Sequence, residues 1–462
     1  ISERRGKMML LVSIILLAIF LFLQLLYIFI PLFSTNGLSP VNKTQIEKGM
    51  TILIPAFNEE KTILNCLQGI MNVSYKNLEA IFISDGSTDE TFQLLYNYLN
   101  AQPSKKMPAG KISHERVIGC YQSVTYPNIY LIDKVNGGKA DALNVGIEYA
   151  SNDIIITLDA DSILDPNALH AMNNAFDDEK VLAAGGMVQI SQGFNGSYIK
   201  PKPLFNMSGL IRYQVIQYLT DFYLHKTTQA KLRSITVIAG AFGAFRRHAL
   251  FEVQGYRKTV GEDLDITLKL HTLIKKKYKW HKLIFVPNAI CYTECPSTFK
   301  DLLSQRIRWQ KGFIDCLLHY KKSFFVNLGI PISIYMLIDS LILGTLNAFP
   351  TMLVPLLILI NHNYGITLFF LSVTFLLALY RSITTLIISR RYGHKYSPKD
   401  YLKLALFIPI EILTYRLLGL VFVTFGTILY AKNKEGWNSI ERIGVNNQSY
   451  VDGISVHIKK IT

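Results

Sequence analysis

Two carboxylates are spaced so that they could share a divalent cation. Asp159 and Asp161 lie two residues apart in "LDADS", directly after a run of apolar and β-branched residues. In an extended chain such residues point to the same side, and two carboxylates so placed repel each other unless a cation lies between them. Mg²⁺ or Mn²⁺ held by one or two carboxylates takes its other ligands from phosphate and water. The pair therefore predicts a metal site for a nucleoside diphosphate, with a solvated turn as the competing interpretation.

Three further stretches carry groups that suit a diphosphate and a transferred proton. "SDGSTD" places Asp85 where a carboxylate can accept hydrogen bonds from a base or a ribose. "NGGKADALN" has a glycine pair that lets the backbone approach a ligand, followed by Lys139 as a charge for phosphate. "GED" supplies Glu262 and Asp263 much later in the chain. Taken alone, Asp263 is better interpreted as a helix cap, and only the order of all these stretches favours chemistry.

The elements that must position these groups are strand-then-helix units. The apolar runs "MTILIPAF", "LEAIFISDG" and "DIIITLDADSIL" are each followed by a helix-start signal. These signals include Ser87 with Glu90, spaced as a capping box, and Asp165 before Pro166. Alternating strands and helices predict an α/β fold with a mostly parallel sheet, which binds its ligands beyond the carboxyl ends of the strands.

Two strongly apolar blocks flank this region. Residues 8–33 carry no charge and exceed the roughly 20 residues that a membrane helix needs. A cleaved signal peptide is the alternative, but the apolar core is long and no small-residue cleavage site follows. The second block, at about 324–430, is interrupted by "NHNYG" and "RRYGHKYSPKD". It predicts three or four spans, because Pro350 and Pro355 either kink one helix or mark a hairpin.

A polar motif stands at the threshold of the second block. "SQRIRWQKGF", residues 304–313, combines two arginines, two glutamines and a tryptophan. The surrounding residues "DLLSQRIRWQKGFIDCLL" have apolar side chains at helical spacing with cations opposite, which predicts a helix at the membrane surface. An amphipathic anchor without a chemical role is the competing interpretation.

Charge and cysteine usage narrow the classes of partner. The net charge is +15, and "IKKKYKWHK", residues 274–282, is a dense basic run. Because the run is next to membrane spans, anionic lipid or a diphosphate is a simpler partner for it than nucleic acid. The run is equally compatible with a solvated loop that binds nothing. The five cysteines are scattered without a pairing pattern, which is typical of a reducing compartment.

The order of these motifs resembles that of the family 2 inverting glycosyltransferases. It reads Asp85, Asp159 with Asp161, Gly261-Glu262-Asp263, and Gln305-Arg306-Ile307-Arg308-Trp309. The membrane-embedded cellulose, chitin, hyaluronan and poly-N-acetylglucosamine synthases share the order D, D-x-D, E/G/T-x-D and Q-x-x-R-W. Ser84 stands where many relatives have aspartate, which affects a supporting contact only. The resemblance covers nearly the whole chain.

The resemblance implies a GT-A-like domain, a UDP-sugar donor, a growing polysaccharide acceptor and Mg²⁺ or Mn²⁺. It implies donor-binding roles for Asp85, Lys139, Asp159, Asp161, Gln305 and Arg308, with Asp161 and Asp159 at the metal. It further implies catalytic roles for Asp263, as the base, and Glu262, and acceptor-binding roles for Trp309, Gly240 and Ala241. The last two lie in the small-residue loop "VIAGAFGAFRR". Inversion in one displacement needs a single base and no carboxylate nucleophile.

We therefore expect five segments in a multi-pass protein of the bacterial inner membrane with a cytoplasmic catalytic domain. They are an N-terminal transmembrane anchor at 1–33, a GT-A-like domain at 34–299, an interface helix with the QRIRW motif at 300–323, transmembrane helices at 324–430 and a C-terminal tail at 431–462. Membrane lipid is an expected partner and nucleic acid is not. Whether an accessory membrane subunit takes part is left open.

The expected function is processive, inverting polymerisation of a β-linked exopolysaccharide, of the poly-N-acetylglucosamine or glucan type, with extrusion across the membrane. The alternative is a non-processive membrane glycosyltransferase with a lipid acceptor, which needs no sugar-lined tunnel. A transporter or scaffold with a degenerate catalytic domain is a different class, and the intact set of carboxylates argues against it.

Overall fold

The computed structural model describes residues 2–34, 37, 46–196, 200–346, 348 and 364–432. The strands are β1 Met50–Ala56, β2 Leu78–Asp85, β3 Ala101–Pro103, β4 Val117–Ser123, β5 Ile129–Lys134, β6 Ile154–Leu158, β7 Ser162–Leu164, β8 Val181–Ile190, β9 Phe194–Asn195, β10 Lys202–Pro203, β11 Phe242–Arg246 and β12 Lys282–Thr293. The α-helices are α1 Ser2–Ser34, α2 Ile63–Met71, α3 Thr91–Tyr98, α4 Lys139–Tyr149, α5 Ala168–Ala175, α6 Gly209–Thr220, α7 Thr227–Lys231, α8 Arg247–Glu252, α9 Glu262–Lys276, α10 Phe299–His319, α11 Ile330–Ile334, α12 Tyr364–Arg391, α13 Pro398–Leu413 and α14 Tyr415–Lys432. Two π-helical segments, Asp221–Lys226 and Tyr335–Leu346, and a 3₁₀ turn at Ser191–Gly193 complete the described elements.

A mixed, mostly parallel sheet forms the centre of the fold. Its strand order is β3-β4-β5-β2-β1-β6-β11-β8-β12-β7. Strand β1 pairs in parallel with β2 and β6, and β2 pairs in parallel with β5. Strand β11 is antiparallel to both of its neighbours. The three strands predicted from apolar runs are therefore adjacent, and their carboxyl ends bring Asp85 and Asp159 to one edge.

Both faces of the sheet are buried, which explains why its central strands are apolar without alternation. On β1, Ile52 and Ile54 face one core, which includes Phe82, while Leu53 faces the other, which includes Ile81. Successive side chains of a strand point to opposite faces, so a strand covered on both sides needs apolar residues at every position. The strands become polar at the carboxyl edge of the sheet, where Asp85 and Asp159 lie.

Two helix starts differ from their predictions. Helix α3 begins at Thr91 without a side-chain cap, and the Ser87 hydroxyl instead lies 3.3 Å from the Asn58 backbone nitrogen and 3.5 Å from the Ala56 carbonyl oxygen. Helix α5 begins at Ala168, because Asp165 accepts a hydrogen bond from Asn167 and closes a turn first. Both predicted caps are wrong, since each side chain stabilises the preceding loop.

Three of the described helical stretches are long and apolar enough to cross a membrane. They are Leu17–Ser34, Ser372–Arg391 and Pro398–Lys432, and a shorter apolar stretch covers Ile330–Leu346. Residues 349–363, with both prolines of the predicted kink or hairpin, lie outside the described residues, as does most of the C-terminal tail. These helices are consistent with a membrane protein.

The helix that carries the QRIRW motif packs between the sheet domain and these apolar helices. Gln310 of α10 donates to the hydroxyls of Thr345 and Thr427 at 3.3 and 3.0 Å. Its Cβ fits against Gly426 of α14, where an added methyl group would come within 2.6 Å. Helix α10 is thereby fixed to the apolar helices on one side and is free to line a site on the other.

Candidate active site

Two cavities meet at the carboxyl edge of the sheet. The first, here called the base cavity, has a volume of about 480 Å³ and is lined by Asp161, Glu262, Asp263 and Trp309 among others. The second, the loop cavity, has a volume of about 710 Å³. Its lining includes Phe57, Asp85, Gly137, Gly138, Lys258 and Asp315. Both cavities are lined by Lys139, Asp159, Val260 and Arg308, so these residues mark their junction.

Lys139 connects the two carboxylate motifs at this junction. Its ammonium nitrogen lies 2.6 Å from Asp159 Oδ1 and 3.3 Å from Glu262 Oε1. Burial alone would lower the pKa of Lys139, but the Asp159 and Glu262 carboxylates outweigh it and raise this pKa above its ordinary value. Burial also raises the pKa of Glu262, and Lys139 opposes that shift. Lys139 is therefore a fixed positive charge between the cavities.

Asp85 lies at the bottom of the loop cavity, where the glycine loop surrounds it. Its carboxylate accepts hydrogen bonds from the backbone nitrogens of Gly137 and Gly138 at 3.0 and 2.8 Å. It also forms an ion pair with Lys134, which is fully buried and lies 2.7 Å from Asp141. Asp85 thus shapes the loop that precedes Lys139, and its predicted contact with a uridine stays a prediction.

Asp161 and Asp159 both line the base cavity, and carboxylate oxygens are ligands that a divalent cation prefers. Asp161 Oδ1 accepts from the Thr293 hydroxyl at 3.2 Å, which orients the carboxylate. Within the described part of the chain, no group of three or more histidine, cysteine, aspartate or glutamate side chains is arranged for a metal. A site with two carboxylates suits Mg²⁺ or Mn²⁺ whose other ligands are phosphate and water oxygens. Such a cation would bind together with a phosphorylated ligand.

Asp263 is held at the start of α9 and faces the base cavity. Its Oδ1 accepts from the backbone nitrogen of Leu264 at 2.8 Å, and its carbonyl oxygen accepts from the Thr267 hydroxyl at 2.7 Å. A carboxylate of fixed orientation in the wall of the cavity is placed where it can accept a proton from a bound hydroxyl group.

The QRIRW motif lines the same cavity from α10. Gln305, Arg308 and Trp309 are among its lining residues. Trp309 is 43% exposed, and the Arg306 guanidinium lies 4.1 Å from the centroid of its ring. One approach to the ring is thus occupied by a cation–π contact, which leaves the remaining exposed surface for a ligand.

Gly240 and Ala241 form the opposite wall, on the loop before β11. A Cβ at Gly240 would lie 3.0 Å from the Lys139 ammonium nitrogen and 3.8 Å from Asp263 Cβ. A larger residue at 240 would therefore narrow the passage between the base and the junction of the two cavities. The structure brings all the residues predicted for donor, metal, base and acceptor to the lining of these two cavities.

An ionic clamp that sequence reasoning missed anchors the loop before Asp263. Arg257 lies 2.8 Å from both Asp265 of α9 and Asp315 of α10. Thr259 donates to Asp315 at 2.8 Å, and the Tyr430 hydroxyl of α14 lies 3.3 Å from the same carboxylate. The loop that carries the base is thereby tied to the QRIRW helix and to an apolar helix. Nothing in the sequence links these residues, which are separated by up to 173 positions.

Gly312 also fits α10 closely against the base loop. A Cβ on Gly312 would lie 2.8 Å from Gly261 Cα and 3.0 Å from its nitrogen, so the two backbones are in contact. We expect Gly312→Ala to lower kcat at least tenfold, because overpacking of about 1–3 kcal/mol must move either α10 or the loop that precedes Asp263. Gly419→Ala on α14, where a Cβ meets nothing within 4 Å, is the matched control. Equal turnover of the two purified variants would contradict the expectation.

The basic run is not part of this site. It begins at the end of α9, about 20 Å along the helix from Glu262, given a rise of about 1.5 Å per residue. Lys277 pairs with Glu252 and Lys282 pairs with Asp178, each at 2.8 Å, while Trp280 is exposed. These lysines do not line either of the two cavities, so they are not part of the site described above.

The sequence matches two related families. Residues 51–253 match Glycosyl transferase family 2, and residues 154–384, half of the chain, match Glycosyl transferase family group 2. The chain is 30% identical over 290 residues to a poly-β-1,6-N-acetyl-D-glucosamine synthase of Staphylococcus aureus strain COL. It is 29% identical over 289 residues to the synthase of the same name from Staphylococcus epidermidis. Each alignment covers 62% of this chain and 59% of the relative, so the chain spans less than two thirds of these relatives.

The fold is similar to that of a solved mannosyltransferase from Pyrobaculum calidifontis, determined in complex with GDP-mannose and Mn²⁺. The TM-score is 0.54 with 15% identity, over 92% of this chain and 99% of the other. At this identity the likeness shows the fold, and it confirms the predicted GT-A-like domain. Taken with the family matches, it leads to one conclusion: the chain belongs to Glycosyl transferase family group 2.

Proposed function

We propose that this chain is a metal-dependent, inverting membrane glycosyltransferase that polymerises sugar from a UDP-sugar into a β-linked exopolysaccharide of the poly-N-acetylglucosamine or glucan type. The observation that carries the proposal is the junction at Lys139 and Asp159. There the cavity with the base and the cavity with the glycine loop share lining residues. A nucleotide in the loop cavity would place its diphosphate at this junction and its sugar in the base cavity, facing Asp263.

The proposed reaction is a single displacement. The acceptor hydroxyl gives its proton to Asp263 while its oxygen attacks the anomeric carbon, and the bond to the UDP oxygen breaks. Lys139 and Arg308, which line the junction of the two cavities, would face the leaving diphosphate as it gains charge, and Asp161 with Asp159 would hold Mg²⁺ or Mn²⁺ there. When bound, the cation supplies positive charge that stabilises the leaving group. Trp309, Gly240 and Ala241 would flank the acceptor sugar.

We further propose that the segments divide as predicted: an anchor at 1–33, the GT-A-like domain at 34–299, the interface helix at 300–323, transmembrane helices at 324–430 and a tail at 431–462. The contacts of α10 with both the base loop and the apolar helices support a product that leaves the base cavity toward the membrane. This arrangement favours a processive enzyme of the bacterial inner membrane with its catalytic domain in the cytoplasm.

A donor panel tests the proposal. The full chain, purified in detergent, is assayed for UDP release with UDP-N-acetylglucosamine, UDP-glucose, UDP-galactose or UDP-glucuronate, and the products are sized. We expect turnover on one of the first two donors, loss of turnover with a chelator, recovery with Mg²⁺ or Mn²⁺, and a product of high molecular weight. Short or lipid-linked products would instead establish a non-processive transferase. No turnover with any of the four donors, in detergent or in native membranes, would contradict the proposal.

A further inference from the structure

The base cavity extends beyond the predicted site to a π-helical segment that no sequence motif marks. Asp221–Lys226 continues α6 with the hydrogen-bond pattern of a π-helix. Asp221 and Lys226 stand five residues apart, and both line the base cavity. Hydrogen bonding between residues five apart places them on one side of the helix, and π-helical turns recur at functional sites. The π-helix therefore directs the Lys226 ammonium group into the cavity.

Lys226 is a cation whose hydrogen bonds are only partly used. Its ammonium group donates to the Val237 carbonyl oxygen, and among the described residues no carboxylate forms an ion pair with it. An ammonium group has three donors, and leaving some of them unused is unfavourable for a half-buried charge such as Lys226. Burial lowers the pKa of Lys226 to about 8, against the opposing fields of Asp263 and Asp221. The two remaining donors therefore suit an oxygen atom of a molecule in the cavity.

The position of Lys226 in the same cavity as Asp263 indicates which kind of molecule its free donors would bind. Asp263 and Lys226 line the same cavity of about 480 Å³, and in the described part of the chain no hydrogen bond or ion pair joins their side chains. A sugar has hydroxyl groups that donate, hydroxyl and ring oxygens that accept and, where it is N-acetylated, an amide carbonyl oxygen that also accepts. One sugar can therefore donate a hydroxyl proton to Asp263 while another of its oxygens accepts from Lys226. One protein group that accepts a hydrogen bond and one that donates a hydrogen bond together fix the orientation of the attacking hydroxyl group.

We propose that Lys226 binds the terminal sugar of the acceptor and holds its attacking hydroxyl beside Asp263. This inference rests on the proposed function and adds a subsite to it. Lys226 lies away from the loop cavity, where the nucleotide would bind, and it does not line that cavity. It would therefore contact a sugar in the base cavity rather than the nucleotide, and the experiment below distinguishes the acceptor sugar from the donor sugar.

The experiment separates acceptor binding from donor binding. Lys226→Met removes the charge and the donors at similar length, Lys226→Arg keeps both, and Lys231→Met on α7 is the control, because Lys231 is exposed and does not line the cavity. UDP release is measured with a β-linked tetrasaccharide of the donor sugar as acceptor, and again without added acceptor. We expect Lys226→Met to raise the acceptor KM at least tenfold while the donor KM and the acceptor-free release of UDP stay within twofold. Lys226→Arg should recover part of the loss.

Two results would overturn the inference while leaving the proposed function intact. One is an acceptor KM for Lys226→Met equal to that of Lys231→Met. The other is an equal loss of donor affinity and acceptor affinity, which would mean that Lys226 only supports the structure through Val237. Absence of UDP release in the unmodified protein with every donor would instead overturn the proposed function, and this inference with it.

Discussion

Replacing Asp263 by asparagine is expected to lower sugar transfer about 10³-fold, within the range that a positioned general base contributes, and to leave the donor KM within twofold. Asparagine has the same shape and can still accept the hydrogen bond from the Leu264 nitrogen, so the start of α9 should be preserved. It cannot take a proton from the acceptor hydroxyl. The loss should therefore appear in kcat alone.

Glu262→Gln is the matched comparison, because it alters the adjacent carboxylate in the same cavity. Glu262 is buried and lies 3.3 Å from Lys139, so its replacement should disturb the charge at the cavity junction and reduce kcat about tenfold by weakening one ion pair. UDP release and product size are measured for both variants with the preferred donor. If Glu262→Gln abolishes transfer while Asp263→Asn retains it, the base is Glu262.

The parts of the fold that could be predicted are those with a local signal. Strands β1, β2 and β6 are apolar runs, and the carboxylates that end them are adjacent to those runs in the sequence. The sheet therefore brings Asp85 and Asp159 to one edge without further information. The predicted caps at Ser87 and Asp165 failed for the same local reason, since either side chain can close the loop before the helix as readily as it can cap the helix.

The residues that position the site could not be predicted, because their partners are far away in the sequence. Arg257 meets Asp315 across 58 positions, and Gly261 meets Gly312 across 51. The direction of Lys226 depends on a π-helix, whose sequence reads like any other helical turn. Gly312 within α10 offered the one usable signal, since a glycine inside a helix is unfavourable and often marks a close approach.

Replacing Arg257 by methionine is expected to lower the free energy of unfolding by about 3 kcal/mol. This value is at the lower end of the range for a buried ion pair that loses one partner. Asp265 has no exposed surface, and Arg257 is its nearest cation at 2.8 Å. After the replacement, Asp265 would keep two partners among the residues that the structure describes, Lys269 at 3.8 Å and the Tyr320 hydroxyl at 3.3 Å. Asp315 would lose its guanidinium partner as well, which loosens the base loop from α10 and lowers turnover.

Thermal unfolding of the purified chain in detergent measures this effect. Lys258→Met is the control, because Lys258 is the next residue, is exposed and makes none of the clamp contacts. The double variant Arg257→Met with Asp265→Asn should recover part of the lost stability, since it removes the buried charge that the single variant leaves without its main partner. A midpoint for Arg257→Met equal to that of Lys258→Met would show that the clamp does not stabilise the fold. A double variant that is less stable than Arg257→Met would show that the buried carboxylate is not the source of the loss.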